Sequence, residues 1–233
     1  MDENERYKGH LNLCEIDLSG QRAISSARVL IAGAGGLGSP VALYLAAAGV
    51  GTIGIADADT VSISNLQRQI MHGTADVGSR KTDSARRAME RINPAVRVVE
   101  HPMMIDTENI VTLLDGYDVV ADCTDNFATR LLLSDTCARM GRPLAYAAVD
   151  RFSGQIFTQL PGHRTLRDIF GPESRDAADC GCARRGILNA AVGVAGSLQA
   201  AEVIKIITGA GDMLVDRLLT FDLITMDFNV FDL

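Results

Sequence analysis

Apolar residues come in short runs that break at glycine or a carboxylate, and stretches of helical composition fill the gaps between them. Arg28–Ala32 is a β-branched run that closes on glycines, 40–48 is helix-forming and stopped by Gly49, and Thr52–Ala56 is a second apolar run ending at Asp57. That order predicts strand, turn, helix, strand. Helical character returns over 80–92, 107–114 and 126–140, with apolar runs at 96–100, 118–121 and 144–149 between and after these helices. Alternation of this kind implies a parallel sheet covered on both faces. After that the pattern changes. Segments 154–160 and 218–231 alternate in polarity without a crossover helix, which predicts antiparallel strands at the end of the sheet. Between them lie a polar loop at 161–185 and a long small-residue helix from 187 to about 208. There is no internal repeat and no low-complexity segment.

The turn after the first strand reads Gly33-Ala34-Gly35-Gly36-Leu37-Gly38, so Gly33, Gly35 and Gly38 satisfy GxGxxG. Missing side chains there let backbone N–H groups approach a phosphate at a helix N-terminus. Asp57 follows Gly38 by nineteen residues, the spacing of a ribose-binding carboxylate in a dinucleotide-type βαβ unit. The fold class expected is α/β: a Rossmann-like parallel sheet flanked by helices, with antiparallel strands added at the C-terminal end. At 233 residues the chain suits one such domain, with a helical arm at 1–27, a nucleotide-binding half at 28–150 and a substrate-binding half at 151–233.

Charge and cysteine usage narrow the partners. A formal charge of −7 leaves no whole-protein basic field to gather nucleic acid or an anionic membrane, so any nucleotide must be held by a local site. Residues 1–9 are polar, unlike a signal peptide, and the longest apolar stretches are interrupted by glycine or charge, so a soluble cytoplasmic protein is expected. The five cysteines, Cys14, Cys123, Cys137, Cys180 and Cys182, form an odd, scattered set that fits reduced thiols better than a disulfide framework.

A second set of residues decides which nucleotide. Asn65, Arg68, Gln69 and Lys81 supply cations and amides after the second strand, where a hydride-transfer site has little use for them and a triphosphate does. Lys81 alone also reads as a solvated lysine at a helix start. Asp122 and Asp125 bracket Cys123 at a later strand end, the place where open α/β sheets bind ligands. Magnesium takes one or two protein carboxylates plus phosphate oxygens, which makes Asp125 a candidate metal ligand. The bland alternative is that Asp125 or Asp122 caps the helix that follows.

Together GAGGLG, Asp57, SNLQRQ (64–69), Lys81, INP (92–94), DCTDN (122–126) and GSLQAAEVIK (196–205) resemble the ThiF/MoeB/HesA family, adenylyltransferases related to ubiquitin-activating enzymes. The similarity runs from about Arg6 to Leu223. The resemblance implies ATP contacts from Gly36, Asp57, Asn65, Arg68 and Lys81, with magnesium on Asp125. It also implies a homodimer and a small ubiquitin-fold sulfur carrier, docked on the 151–233 half, whose C-terminal Gly-Gly carboxylate attacks the α-phosphorus of ATP. The small-residue helix at 187–207 has the composition of a buried surface, which fits either a dimer interface or burial within the chain.

Three departures from the family pattern stand out. The family's RYxRQ motif, whose second arginine reaches the partner subunit's ATP, is here Arg6-Tyr7-Lys8-Gly9-His10, with glycine at that position. The first cysteine pair of the family's zinc module aligns with Gly162 and Thr165, so structural zinc is not expected. Cys182 matches the family's reactive cysteine and has Arg184 and Arg185 nearby to favour thiolate, although adenylation itself needs no cysteine.

The leading expectation is ATP-dependent adenylation of a carrier carboxylate for sulfur transfer in cofactor biosynthesis. Three others remain open at this point: adenylation of a small-molecule carboxylate, an NAD-dependent oxidoreductase resting on GAGGLG and Asp57 alone, and a non-catalytic binding partner.

Overall fold

The computed structural model describes residues 3–171 and 186–233. Helices α1 (Glu3–Arg6), α2 (Lys8–Leu11) and α3 (Asp17–Ser26) form the N-terminal arm. Strands β1 (Arg28–Ala32), β2 (Thr52–Ala56), β3 (Arg97–His101), β4 (Val119–Asp122) and β5 (Leu144–Asp150) then run parallel, joined by α4 (Gly38–Ala48), α5 (Lys81–Ile92), α6 (Ile110–Asp115) and α7 (Phe127–Met140). Strands β6 (Ser153–Gln159), β7 (Arg217–Asp222) and β8 (Asp227–Asp232) add on antiparallel, with α8 (Leu166–Phe170) and α9 (Asn189–Thr208) between β6 and β7. The spatial order is β3-β2-β1-β4-β5-β6-β7-β8.

The central strands owe their position to continuous apolar sequence. Val29, Leu30, Ile31 and Ala32 are wholly buried because residues of alternate parity face two different helical layers. Val29 and Ile31 pack with α4 and α9, while Leu30 and Ala32 pack with α6 and α7 residues. The loss of alternation in β1 is the signature of a strand covered on both sides. Helix α9 approaches α4 closely because Gly196 has no β-carbon, which would strike the Pro40 ring.

Motif residues that have no ligand to hold turn out to lock this layer together. Gln199 on α9 donates to the carbonyls of Asp122 (2.8 Å) and Ala145 (2.9 Å), and Glu202 accepts from Leu214 N–H (2.8 Å) and the Thr158 hydroxyl. Asn93 of the INP motif is fully buried and donates to Tyr7 Oη (2.9 Å) and Ala46 O (3.0 Å), pinning the N-terminal arm to α4 and α5.

Several sequence expectations shift. The helix expected at 107–114 starts at Ile110, because Asp106 accepts the N–H groups of Glu108 (2.9 Å) and Asn109 (3.1 Å) in a side-chain turn that competes with helix. The run 218–231 is two strands, broken where Asp222 accepts Ile224 N–H (2.7 Å) and Met226 takes a positive φ of 62°. The loop at 161–185 contains α8, and its residues 172–185 lie outside the described residues. Helix α9 buries Ala191, Val192, Ala195, Ala200 and Val203 against its own chain, so its composition is explained without a dimer. At the two positions aligned with the zinc module, Gly162 adopts φ 83° and Thr165 caps α8 through Asp168 N–H, so both serve local structure.

Candidate active site

The strand order reverses between β1 and β4, and crevices form at such switch points beyond the carboxyl ends of the strands. Here the crevice is a cleft of about 270 Å³ whose walls are the glycine turn, the ends of β2 and β4, and the starts of α5 and α7. The glycine turn is built by exclusion. Gly33 has φ 108° and a β-carbon there would come within 2.6 Å of Cys123 O, while one on Gly38 would collide with Gly33 O. Within the turn the N–H groups of Gly35, Gly36 and Leu37 have no acceptor among the described residues, the condition for receiving phosphate oxygens at the head of α4.

At the β2 wall, Asp57 accepts Ala34 N–H at Oδ2 (2.8 Å) and Asp59 N–H at Oδ1 (2.8 Å). It therefore holds the glycine turn to β2, and a carboxylate has lone pairs left for a ribose hydroxyl. Lys81, at the first residue of α5, is buried with its side chain 7% exposed. Its Nζ lies 2.8 Å from Asp59 and 3.8 Å from Asp57. That overturns the alternative of a solvated helix-start lysine. Behind the turn, His72 is buried. Its Nε2 lies 2.9 Å from Ala34 O and its Nδ1 2.8 Å from the Ser84 hydroxyl. A carbonyl accepts only, so the neutral ring carries its proton on Nε2 and Nδ1 accepts from Ser84. Burial holds the His72 pKa below 6.5.

Among the SNLQRQ residues, Arg68 and Gln69 line the cleft and Asn65 does not. Asn65 instead accepts from the Ser62 hydroxyl (3.0 Å), and its carbonyl accepts Arg68 N–H and Gln69 N–H, so it shapes the turn that presents the other two. Gln69 is buried and its Oε1 has no partner among the described residues.

The β4 wall separates the two aspartates. Asp122 is fully buried and accepts Thr124 N–H (3.0 Å) and the Thr124 hydroxyl (2.7 Å) at Oδ1, while Oδ2 has no partner among the described residues. Burial pushes its carboxyl up in pKa, against the pull of the Arg130 charge. Asp125 is exposed on the cleft wall and its carboxylate has no partner among the described residues. Neither aspartate caps the helix, as the sequence alternative had it. Asn126 does, its side chain accepting Thr129 N–H (2.9 Å). Cys123 between them is buried, donates to Gln199 Oε1 (3.4 Å) and is pushed well up in pKa by burial.

Sequence reasoning missed Arg130, Thr124 and Asp59 on the cleft walls. Arg130 donates to Thr124 O (2.6 Å) and lies over the Tyr146 ring, 5.7 Å from its centroid. Its signal was available as an arginine one turn into the helix after DCTDN. Asp59 gave none, since its partner Lys81 is 22 residues away in sequence. At the N-terminal arm, Gly9 is exposed with open space at its α-carbon, Arg6 donates to Ile92 O (3.0 Å), and Lys8 is exposed beside Glu5. Cys182, Arg184 and Arg185 lie outside the described residues.

Unpaired helix-head N–H groups, a preset lysine and an unpartnered carboxylate at a switch point define a Rossmann-like protein with a cleft suited to a phosphorylated ligand and a cation. The chain belongs to the ThiF family, whose model matches residues 7–233. It is 42% identical over 232 residues to the "Probable adenylyltransferase/sulfurtransferase MoeZ" of Mycobacterium tuberculosis, covering 97% of this chain and 59% of that protein. It is 43% identical over 228 residues to "Adenylyltransferase and sulfurtransferase MOCS3" of Bos taurus, covering 97% of this chain and 50% of the relative. The chain thus spans between half and three fifths of these relatives' lengths. The E. coli MccB structure with ATP has the same fold, with a TM-score of 0.82 and 23% identity over 91% of this chain and 66% of that one.

Proposed function

We propose that this chain is an ATP-dependent adenylyltransferase that activates the C-terminal carboxylate of a small ubiquitin-fold sulfur carrier. The observation that carries the reading is the Asp125 carboxylate, without a partner among the described residues, in the same cleft as Lys81, Arg68 and the N–H groups of Gly35 and Gly36, which likewise have no acceptor among them. ATP supplies what each of these lacks. Its phosphate oxygens answer the N–H groups and cations, and its ribose hydroxyls meet the remaining lone pairs of Asp57 and the orphan Oε1 of Gln69. Asp125 suits Mg2+, which takes one or two carboxylates together with phosphate oxygens and neutralises their charge.

In the reaction a carboxylate oxygen of the carrier attacks the α-phosphorus, the bond from that phosphorus to the bridging oxygen breaks, and pyrophosphate leaves. Lys81 and Arg68 offset the charge that develops on the leaving group, and positioning does the rest. No general base is required, because the attacking carboxylate is already ionised. A protein substrate is favoured over a small acid by the β7–β8 hairpin, where Ile224, Met226, Phe228 and Val230 are half-exposed or more. Such a run of apolar surface fits a protein partner.

The chain is proposed to act as a homodimer, as the family resemblance implies, with Leu13, Leu18, Ile63 and Ile70 as exposed apolar surface available to it. With glycine at position 9 and Arg6 anchored to Ile92, the nearest exposed cation in that motif is Lys8. Exchange of labelled pyrophosphate into ATP tests the function, with Gly-Gly-ended carriers and small carboxylic acids supplied separately. Carrier-dependent exchange is expected. Exchange driven by small acids alone would move the substrate class, and tight NAD binding without ATP binding would overturn the nucleotide assignment.

A further inference from the structure

A second cavity of about 300 Å³ opens on the other face of the sheet, away from the nucleotide cleft. Strand register defines its floor and one wall. Arg28, Thr52 and Arg97 are level across β1, β2 and β3, as are Leu30, Gly54 and Val99, and then Ala32, Ala56 and His101. Leu30 and Ala32 pack with α6 and α7, so all three rows face that layer. On β2 this face carries only Thr52, Gly54 and Ala56, which leaves a trough between β3 and α6. Tyr117 lies in it because Gly54 has no side chain. A β-carbon on Gly54 would overlap the phenol ring, and the hydroxyl reaches 2.6 Å from His101 Nε2.

The chemistry of the lining is unlike that of an ordinary packing gap. Arg28 and Arg97 both line the cavity, and neither guanidinium has a carboxylate or other hydrogen-bond partner among the described residues, in a chain of net charge −7. Arg28 lies 5.8 Å from the Tyr117 ring centroid, and the nearby Asp118 carboxylate accepts the Arg28 backbone N–H (2.8 Å). Elsewhere arginines such as Arg86 and Arg87 are saturated by acids. The remaining wall combines apolar surface from Val99, Met103 and Leu113 with the polar side chains of Asn109 and Thr112. Segment 103–105 separates the two cavities, with Met103 on this side and Met104 and Ile105 on the nucleotide side.

We propose that this trough is a second ligand site, taking a small organic anion with an apolar or aromatic body: the carboxylate or phosphate head engages Arg97 and Arg28, and the body lies along Tyr117, Val99 and Leu113. A guanidinium fork matches such a head, and the volume is that of a small ligand. The site is independent of the adenylation reading, and its test does not use that activity.

The test is ligand-observed fluorine NMR with 4-fluorobenzoate, using 4-fluorobenzamide as the neutral control and inorganic phosphate as the bodiless one. Saturable binding of the benzoate at millimolar concentration is expected, with the amide and phosphate weaker. R97A and R28A should each weaken the benzoate by about tenfold, and both arginines are exposed, so circular dichroism should show folded variants. No saturable binding of benzoate or phosphate would overturn the proposal. So would equal binding of benzoate and benzamide, or binding that survives R97A and R28A but is lost in R68A, which would put the probe in the nucleotide cleft.

Discussion

On the β2 wall of the nucleotide cleft, Asp57, Asp59 and Lys81 satisfy one another and the glycine turn, whereas on the β4 wall Asp125 has no partner among the described residues. The two walls stand on either side of β1, about 10 Å apart at ordinary strand spacing, and are built on opposite principles. A network completed inside the protein positions its groups before any ligand arrives, at no reorganisation cost during reaction, and also contributes to folding. A charge without a partner contributes nothing to folding and is available to a metal or phosphate. Substitutions on the first wall should therefore affect stability and activity together, and substitution of Asp125 on the second activity alone.

The strongest test of that separation is Asp125→Ala. Pyrophosphate exchange should fall to background, about a hundredfold or more, while the melting temperature stays at the parent value. A clear drop in melting temperature would show that Asp125 has a structural role after all. Lys81→Met should lower both quantities. Exchange should fall by about tenfold to a hundredfold, and denaturant titration should show about 1–2 kcal/mol lost, because Asp57 keeps its two backbone N–H bonds but faces an apolar side chain. If stability is unchanged, the β2 wall is not a folding element.

A smaller effect concerns pH. His72 under the glycine turn and His101 at the end of β3 both have pKa values held below 6.5 by burial. The unfolded chain therefore binds more protons than the native one below about 6.5, so stability should fall as pH drops through that value and level off below the native pKa. In His72→Gln the slope between neutral pH and 5 should become shallower, leaving the His101 contribution, which thermal melts across that range would show. An unchanged slope would mean that His72 titrates alike in both states. The smallest change is expected from Asp59→Asn. Its side chain is 68% exposed, so the ion pair to Lys81 is worth at most about 1 kcal/mol, and exchange should stay within a few-fold of the parent. A collapse of activity there would show that Asp59, rather than Asp57, sets the position of Lys81.

Much of the architecture is legible along the chain, because buried parallel strands leave uninterrupted apolar runs and the turns leave glycines. Arg28–Ala32, the glycine turn and Asp57 emerge at their true positions, since strand, turn and helix head are local in sequence and fixed by local sterics. Helix starts are less legible. Ile110 rather than 107 begins α6 because a side-chain turn at Asp106 wins over helix propensity, a competition decided by one or two hydrogen bonds.

What the residues alone determined, then, was the fold class, the glycine turn at the head of α4 and the candidate set of Arg68, Gln69, Lys81 and Asp125. The tertiary structure decided their states: that Lys81 is buried between two aspartates, that Asn126 rather than Asp125 caps α7, and that Asn65 shapes its turn instead of lining the cleft. It also decided that Gly54 makes room for Tyr117 and that Arg28 and Arg97 share one trough. The Asn126 cap and the Asn65 turn were settled by competition among side-chain hydrogen bonds only three residues away, whereas for Lys81, Tyr117 and the two arginines the reason is distance along the chain. Burial and pairing depend on groups that the fold brings together from distant parts of the chain, and residues 22 or more apart carry no mutual signal in a single sequence.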